Sequence, residues 1–364
     1  MASGLQGGRS VDAATLEAQR PAALNDVIRR QLEAGVDVIS DGEIGKTGFG
    51  LEYYGSRLSG LRGRPMKSGE PGWMALTTNE RIEFAEFYRD LNWVAPTERV
   101  VCTGPITFIG AEQVKNDIAR FKAALSAVGA TVEETFMCAL APGWLEHFFF
   151  NEYYPDDRSY LFALADAMRH EYQAIVDAGV VLQIDDPALP DTYDMIIPAP
   201  SIEAYRTFAE LRVDALNHAL DGLPKDRIRY HICWGSWHGP HTHDLPLGNL
   251  VDLMLKVNAG AYSIEAANPR HEHEWKLWKN VDLADDRILI PGVVSHATNV
   301  VEHPELVADR IVRFANLVGR ERVIAGTDCG LGFRVHPQIA WAKLRALSEG
   351  AALATRQLWG RYAA

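Results

Sequence analysis

The chain of 364 residues is 47% hydrophobic and 23% charged, with 30 Gly and 18 Pro, which excludes collagen-like, low-complexity and disordered classes. Its 36 basic and 48 acidic residues give a formal net charge of -12, so the basic face of a nucleic-acid binder is not expected, and no apolar run of about 18 residues suggests a membrane span. Four cysteines are too few for a disulfide scaffold, and the first ten residues lack the apolar core of a secretory signal, so a reducing, cytoplasmic setting is expected.

One joint recurs along the chain: an amphipathic helix, a Gly, then a short β-branched apolar run. It appears at 31–35 leading into 36–40, at 174–179 into 180–185, at 255–260 into 261–265, and at 317–319 through 322–327. Each Gly is expected at a helix C′ position, where positive φ turns the chain into a strand. Further strands are predicted at 99–104, 135–141, 228–234 and 288–294, which makes eight. Helices alternating with apolar strands imply parallel strands covered by helices. The expected fold is α/β, a (β/α)8 TIM-type barrel, with a doubly wound open sheet as the alternative. No Pro-, Gly- or Ser-rich linker divides the chain, so a single domain over 1–364 is expected, with a βα insertion at 53–97 that could cap the barrel mouth. No glycine-rich dinucleotide or phosphate-loop motif is present.

Polar residues cluster where the predicted strands end. His231 and Cys233 are two apart and so project from one face of a strand. Glu265 ends the next strand, and Cys329 follows the last. If the barrel holds, all four sit at its C-terminal rim, where one imidazole, two sulfurs and one carboxylate form a tetrahedral zinc set. The alternative is buried cysteines beside a hydrogen-bonded core histidine. Joint placement at successive strand ends favours the metal. Two thiolates and a carboxylate on a divalent cation leave a formal -1, a poor Lewis acid but a suitable seat for a thiol held as thiolate. Glu265 is the ligand expected to yield its place to that sulfur. The chemistry implied is thiol alkylation.

Other polar residues carry two readings each. Cys102 and Cys138 lie in apolar strands and read as core. His238, His241 and His243 are either a second metal pattern or pocket and rim histidines. His271 and His273 flank Glu272 at a helix start, as solvated or supporting groups. Arg270 and Arg334 each follow a ligand-bearing strand and are expected to bind an anionic substrate tail, unless they form rim salt bridges. Asp186 and Asp328 are expected to orient a ligand or fix a strand end.

Asp41-Gly42-Glu43, Thr103-Gly104-Pro105-Ile106-Thr107, Leu182-Gln183-Ile184-Asp185-Asp186-Pro187-Ala188-Leu189, His231-Ile232-Cys233, Ile264-Glu265 and Asp328-Cys329-Gly330-Leu331 together resemble the C-terminal zinc barrel of the cobalamin-independent methionine synthase family, in the family's order. The resemblance implies Zn2+ held by His231, Cys233, Glu265 and Cys329, with Glu43 and Asp185 facing the substrate and His296 as general acid. The family's first Gly-Ser strand has no copy before Val36, so either one of the eight strands lies outside the barrel or the first is absent or replaced.

The runs from His231-Ile232-Cys233-Trp234 to His241, from Pro291 to His296, and from Val301 to Arg310 are also similar to the single-barrel epoxyalkane:coenzyme M transferases. Trp234 is accordingly expected to bind substrate. The partners implied are a small thiol and an alkyl donor: methyl-folate, a methylcobalamin protein or an epoxide. The expected function is zinc-dependent S-alkyl transfer, most simply of methyl. Epoxide opening by a thiol is the first alternative, and a non-catalytic zinc-stabilised thiol-binding barrel the second.

Overall fold

The computed structural model describes residues 13–46, 51–68, 70, 78–91, 97–129 and 131–360. Ten strands occur in them: β1 (Val38–Ser40), β2 (Leu61–Pro65), β3 (Glu98–Cys102), β4 (Glu134–Leu140), β5 (Phe149–Asn151), β6 (Val181–Asp185), β7 (Ile228–Ile232), β8 (Ala261–Ile264), β9 (Ile288–Val294) and β10 (Gly326–Thr327). Seven form one sheet in the order β1-β4-β6-β7-β8-β9-β10. All six pairings are parallel. The sheet curls into a half-barrel wrapped by helices, the α/β architecture expected.

The alternation along β6 shows how the sequence builds this layer. Leu182 and Ile184 are fully buried. Gln183 and Asp185 point to the opposite face. Outside, helix Asp157–Asp177 starts at an Asp156 cap that accepts from the Ser159 N–H at 2.7 Å, and it buries Leu161, Leu164, Met168, Tyr172 and Ile175 as an apolar stripe. Removing one such side chain, as in Leu182→Ala, would cost roughly 2–5 kcal/mol.

Three of the four joint glycines behave as expected, with φ of 77° at Gly35, 76° at Gly179 and 98° at Gly319. Gly260 is glycine for a different reason. A Cβ there would lie 2.7 Å from the Lys225 carbonyl oxygen, so the requirement is close backbone approach rather than positive φ.

The strand predicted at 99–104 is corrected. It forms as β3, but it pairs antiparallel with β2 and parallel with β5 in a separate three-stranded sheet. Thr103-Gly104-Pro105 therefore lies beside the barrel, and β4 takes the position between β1 and β6. An apolar strand carries no mark of which sheet it will join. The described barrel thus has seven strands, with β1 and β10 as the ends. At the outer edge of β1 the Gln31 amide accepts from the Ser40 N–H at 3.0 Å and donates to the Ser40 carbonyl at 2.9 Å. The region before Val36 in which the Gly-Ser strand was sought includes residues 1–12, which lie outside the described residues. Among the described residues no helix is long and apolar enough to cross a membrane.

Candidate active site

Parallel register brings the site together. Asp185 on β6 lies opposite His231 on β7, which lies opposite Ser263 on β8. Cys233 stands just past the end of β7, Glu265 just past β8 and Cys329 two residues past β10. The ligand atoms of His231, Cys233 and Cys329 all lie within 4.8 Å of one another. His231 Nδ1 meets the Ser263 hydroxyl at 3.1 Å. Its Nε2 is buried with no hydrogen-bond partner. Glu265 is buried beside this triangle. Its Oε2 accepts from the Trp234 N–H at 3.4 Å, while Oε1 has no hydrogen-bond partner and lies 3.6 Å from His296 Nε2.

Orphaned buried polar atoms cost roughly 1–3 kcal/mol each, so a convergent set of them calls for a partner. Two sulfurs, one imidazole and one carboxylate suit a soft divalent cation, and zinc fits this donor set. Charge distribution agrees. The Cys233 thiol beside Cys329 holds the Cys329 thiol well below the ordinary cysteine range, with His231 adding to the effect, and the Cys233 thiol is pushed up in return. Burial pushes the Glu265 carboxyl up, and Asp328 and Cys329 reinforce the shift. Burial takes His296 down to about 4, leaving a neutral ring.

A second cluster adjoins the first. Acceptor atoms of Glu43, Cys138 and Asp185 lie within 4.8 Å of one another. Glu43 has a φ of 54°, unusual for a residue with a side chain, in a turn where its N–H bonds Asp41 Oδ1 at 3.1 Å. Lys46 Nζ donates to Glu43 Oε1 at 3.0 Å and to the Cys138 carbonyl. Gln183 Nε2 donates to Asp185 Oδ1 at 2.7 Å. Burial raises Asp185 to about 6. Cys138 is buried, as expected, but among polar groups; Cys102 is fully buried and donates to the Gly104 carbonyl.

The remaining candidates separate clearly. Arg334 is half-buried and feels the charge of Cys329 and Cys233, and its guanidinium has no hydrogen-bond or ion-pair partner among the described residues. Arg270 is exposed and donates to the Thr242 carbonyl at 2.8 Å. Trp234 is fully buried, its indole N–H bonding the Leu245 carbonyl at 2.7 Å, so its side chain supports the site from behind. The three loop histidines are held by the protein itself. His238 Nε2 meets the His296 carbonyl at 3.0 Å, His241 lies between Asp244 and the Trp237 carbonyl, and His243 pairs with Glu83 at 2.6 Å. Among the described residues they form no metal group. His273 is exposed, but His271 is buried between Asp244 and Glu274.

Asp328 takes one of the two roles expected of it, fixing backbone at a strand end, whereas the parts played by Gly292, Glu80 and Lys46 were not read from the sequence. Asp328 Oδ1 accepts from the Ala266 and Ala267 N–H groups at 2.8 Å each, fixing the backbone just after Glu265. Gly292 leaves room for it, since a Cβ there would lie 2.3 Å from that oxygen. From the 53–97 segment, buried Glu80 accepts from the Thr242 N–H at 3.0 Å, from the Tyr88 hydroxyl and from the Trp237 indole, so helix Asn79–Glu83 braces the loop after Cys233. Lys46 was legible only as a residue three after Glu43 in a Gly-containing turn.

This is the geometry of an α/β-barrel enzyme with its polar centre at the strand ends. Residues 151–352 match the family described as "Cobalamin-independent synthase, Catalytic domain", and the chain belongs to that family. It is 24% identical over 348 residues to the methionine synthase of Thermococcus kodakarensis, covering 94% of this chain and 84% of that one. It is 25% identical over 367 residues to the 2-hydroxypropyl-CoM lyase of Xanthobacter autotrophicus, covering 92% and 85%. The fold is similar to that of a B12-independent methionine synthase from Shewanella sp. W3-18-1, with a TM-score of 0.71, 19% identity and coverage of 96% and 92%.

Proposed function

We propose that this chain is a single-domain, zinc-dependent S-alkyltransferase that alkylates a small thiol, by transfer of methyl in the manner of the methionine synthases. The observation that carries the reading is the convergence of ligand atoms of His231, Cys233 and Cys329 within 4.8 Å of one another, with the buried Glu265 Oε1 just past the neighbouring strand left without a hydrogen-bond partner. His231, Cys233 and Cys329 would hold zinc, with Glu265 as the ligand that gives way. When bound, the metal supplies the charge that makes an incoming thiol acidic and keeps its sulfur nucleophilic.

The chain's own residues then divide the work. Ser263 and Asp328 hold the His231 ring and the backbone after Glu265 in place. Glu43 and Asp185 line the side that receives the thiol, and Arg334 offers a cation to an anionic tail. Trp234 keeps Glu265 aimed through its N–H. His296 is buried and close to Glu265, and in this reading it moves a proton at the leaving group of the alkyl donor.

Purified protein is expected to carry about one zinc per chain, and Cys233→Ser to lose it. A metal-free protein with full alkyltransferase activity would sink the reading. Similarity to the 2-hydroxypropyl-CoM lyase favours a second reading, epoxide opening by the same thiol. Thiol consumption with methyl-folate or methylcobalamin, compared with a short epoxide, separates the two.

A further inference from the structure

We propose that Lys46 is a specificity-determining residue that fits the thiol side of this site to an anionic thiol without an ammonium group, a mercapto-carboxylate or mercapto-sulfonate, and against an α-amino thiol. The inference rests on the thiol-alkylation reading above and names the substrate class for it.

Two carboxylates beside the metal group would ordinarily invite a substrate ammonium. Here the chain supplies one itself. Lys46 is drawn into the cluster, its side chain 9% exposed, with Nζ 3.0 Å from Glu43 Oε1 and bonded to the Cys138 carbonyl. The Tyr53 ring, 5.4 Å from Nζ, and the Tyr54 ring at 6.0 Å hold it there. Asp185, the other carboxylate, is held by the Gln183 amide. Glu43 is half-exposed, but its Oε1 is already answered by Lys46, whereas among the proposed metal ligands His231 Nε2 and Glu265 Oε1 are buried without a partner. A substrate ammonium reaching Glu43 would sit within about 5 Å of Nζ, where like charges in a half-buried site repel by enough to cost roughly tenfold or more in affinity.

The unanswered charge lies elsewhere. Arg334 stands near Cys233 and Cys329 with no carboxylate partner among the described residues. Once those sulfurs are engaged by a metal, its guanidinium remains free for the tail of the thiol. A planar guanidinium binds carboxylate or sulfonate oxygens in pairs. One internal ammonium and one unpaired guanidinium define a tail that is negative and lacks an amine.

Calorimetric titration of the zinc-loaded protein with 3-mercaptopropionate, 2-mercaptoethanesulfonate, homocysteine and cysteamine tests this. The two anionic thiols are expected to bind at least tenfold more tightly than homocysteine or cysteamine. Lys46→Met should erase or invert that ratio, and Lys46→Arg should retain it. Homocysteine binding as tightly as the anionic thiols, or a Lys46→Met variant with an unchanged ratio, would overturn the assignment of Lys46 while leaving the metal–thiol reading standing. Binding of no thiol by any form would remove the thiol-alkylation reading itself, and the inference with it.

Discussion

The His271 imidazole lies flat against the Trp234 indole, ring centroids 3.6 Å apart and planes 12° from parallel. Behind it runs a buried chain: Asp244 Oδ2 accepts from His241 at 2.9 Å and from His271 at 2.8 Å, and His271 donates its other N–H to Glu274 at 2.9 Å. Burial works against both imidazolium rings, but Asp244, joined at His271 by Glu274, outweighs it and holds both pKa values above the ordinary histidine value. The candidate zinc-binding strand is therefore backed by a charged network.

That network has a pH signature. A histidine whose folded pKa is raised contributes stability that is complete below its unfolded value, about 6.5, and fades as pH rises through the folded value. The melting temperature should fall across that alkaline window. Asp244→Asn removes the carboxylate that two buried rings share, so it should cost about 3–5 kcal/mol at pH 6 and flatten the fall. Thermal denaturation of both proteins from pH 5 to 9 checks this; a melting temperature that rises through the window contradicts it.

The Asp328 bridge predicts a loss of metal without direct contact. Asp328→Ala frees two buried N–H groups immediately after Glu265. It should destabilise the fold by roughly 2–4 kcal/mol and weaken zinc retention during dialysis against a chelator. Asp328→Asn, which keeps the accepting oxygen, should recover much of both.

The cysteines should part in the same way. Cys102→Ala leaves a small void in a fully buried position, costs about 1–2 kcal/mol and keeps zinc. Cys329→Ala should lose zinc. Urea denaturation and metal analysis of the two variants separate packing from ligation.

How legible these relationships were depended on whether they were local. The pair His231 and Cys233 was readable from strand parity, and Glu265 and Cys329 from the ends of the next strands, because a parallel barrel puts all its strand ends at one rim. The seven-stranded order was less accessible. The 99–104 run has a barrel strand's composition, and only its pairing with β2 and β5 takes it elsewhere. Trp234 is expected from the sequence to bind substrate, but a carbonyl eleven residues on, at Leu245, draws its N–H inward. The histidine run allows a metal pattern as well as pocket or rim histidines, and only Glu83, about 160 residues away in sequence, shows what holds His243.

Glu80 shows the same limit from the other side. A glutamate in a surface-like helix gave no sign that it would be 1% exposed and serve three donors. Glu80→Ala is expected to destabilise by on the order of 3 kcal/mol and to alter the emission of Trp237, while Glu80→Gln retains most of the bracing. An unchanged unfolding midpoint in the alanine variant would contradict the role given to this helix.

The central claim is that Glu265 yields its place beside His231, Cys233 and Cys329 when a thiol arrives. X-ray absorption at the zinc edge of the zinc-loaded protein, recorded before and after addition of 3-mercaptopropionate, tests it most directly. The account predicts a shell of two sulfurs, one nitrogen and one oxygen that becomes three sulfurs and one nitrogen. A shell that the thiol leaves unchanged would contradict it.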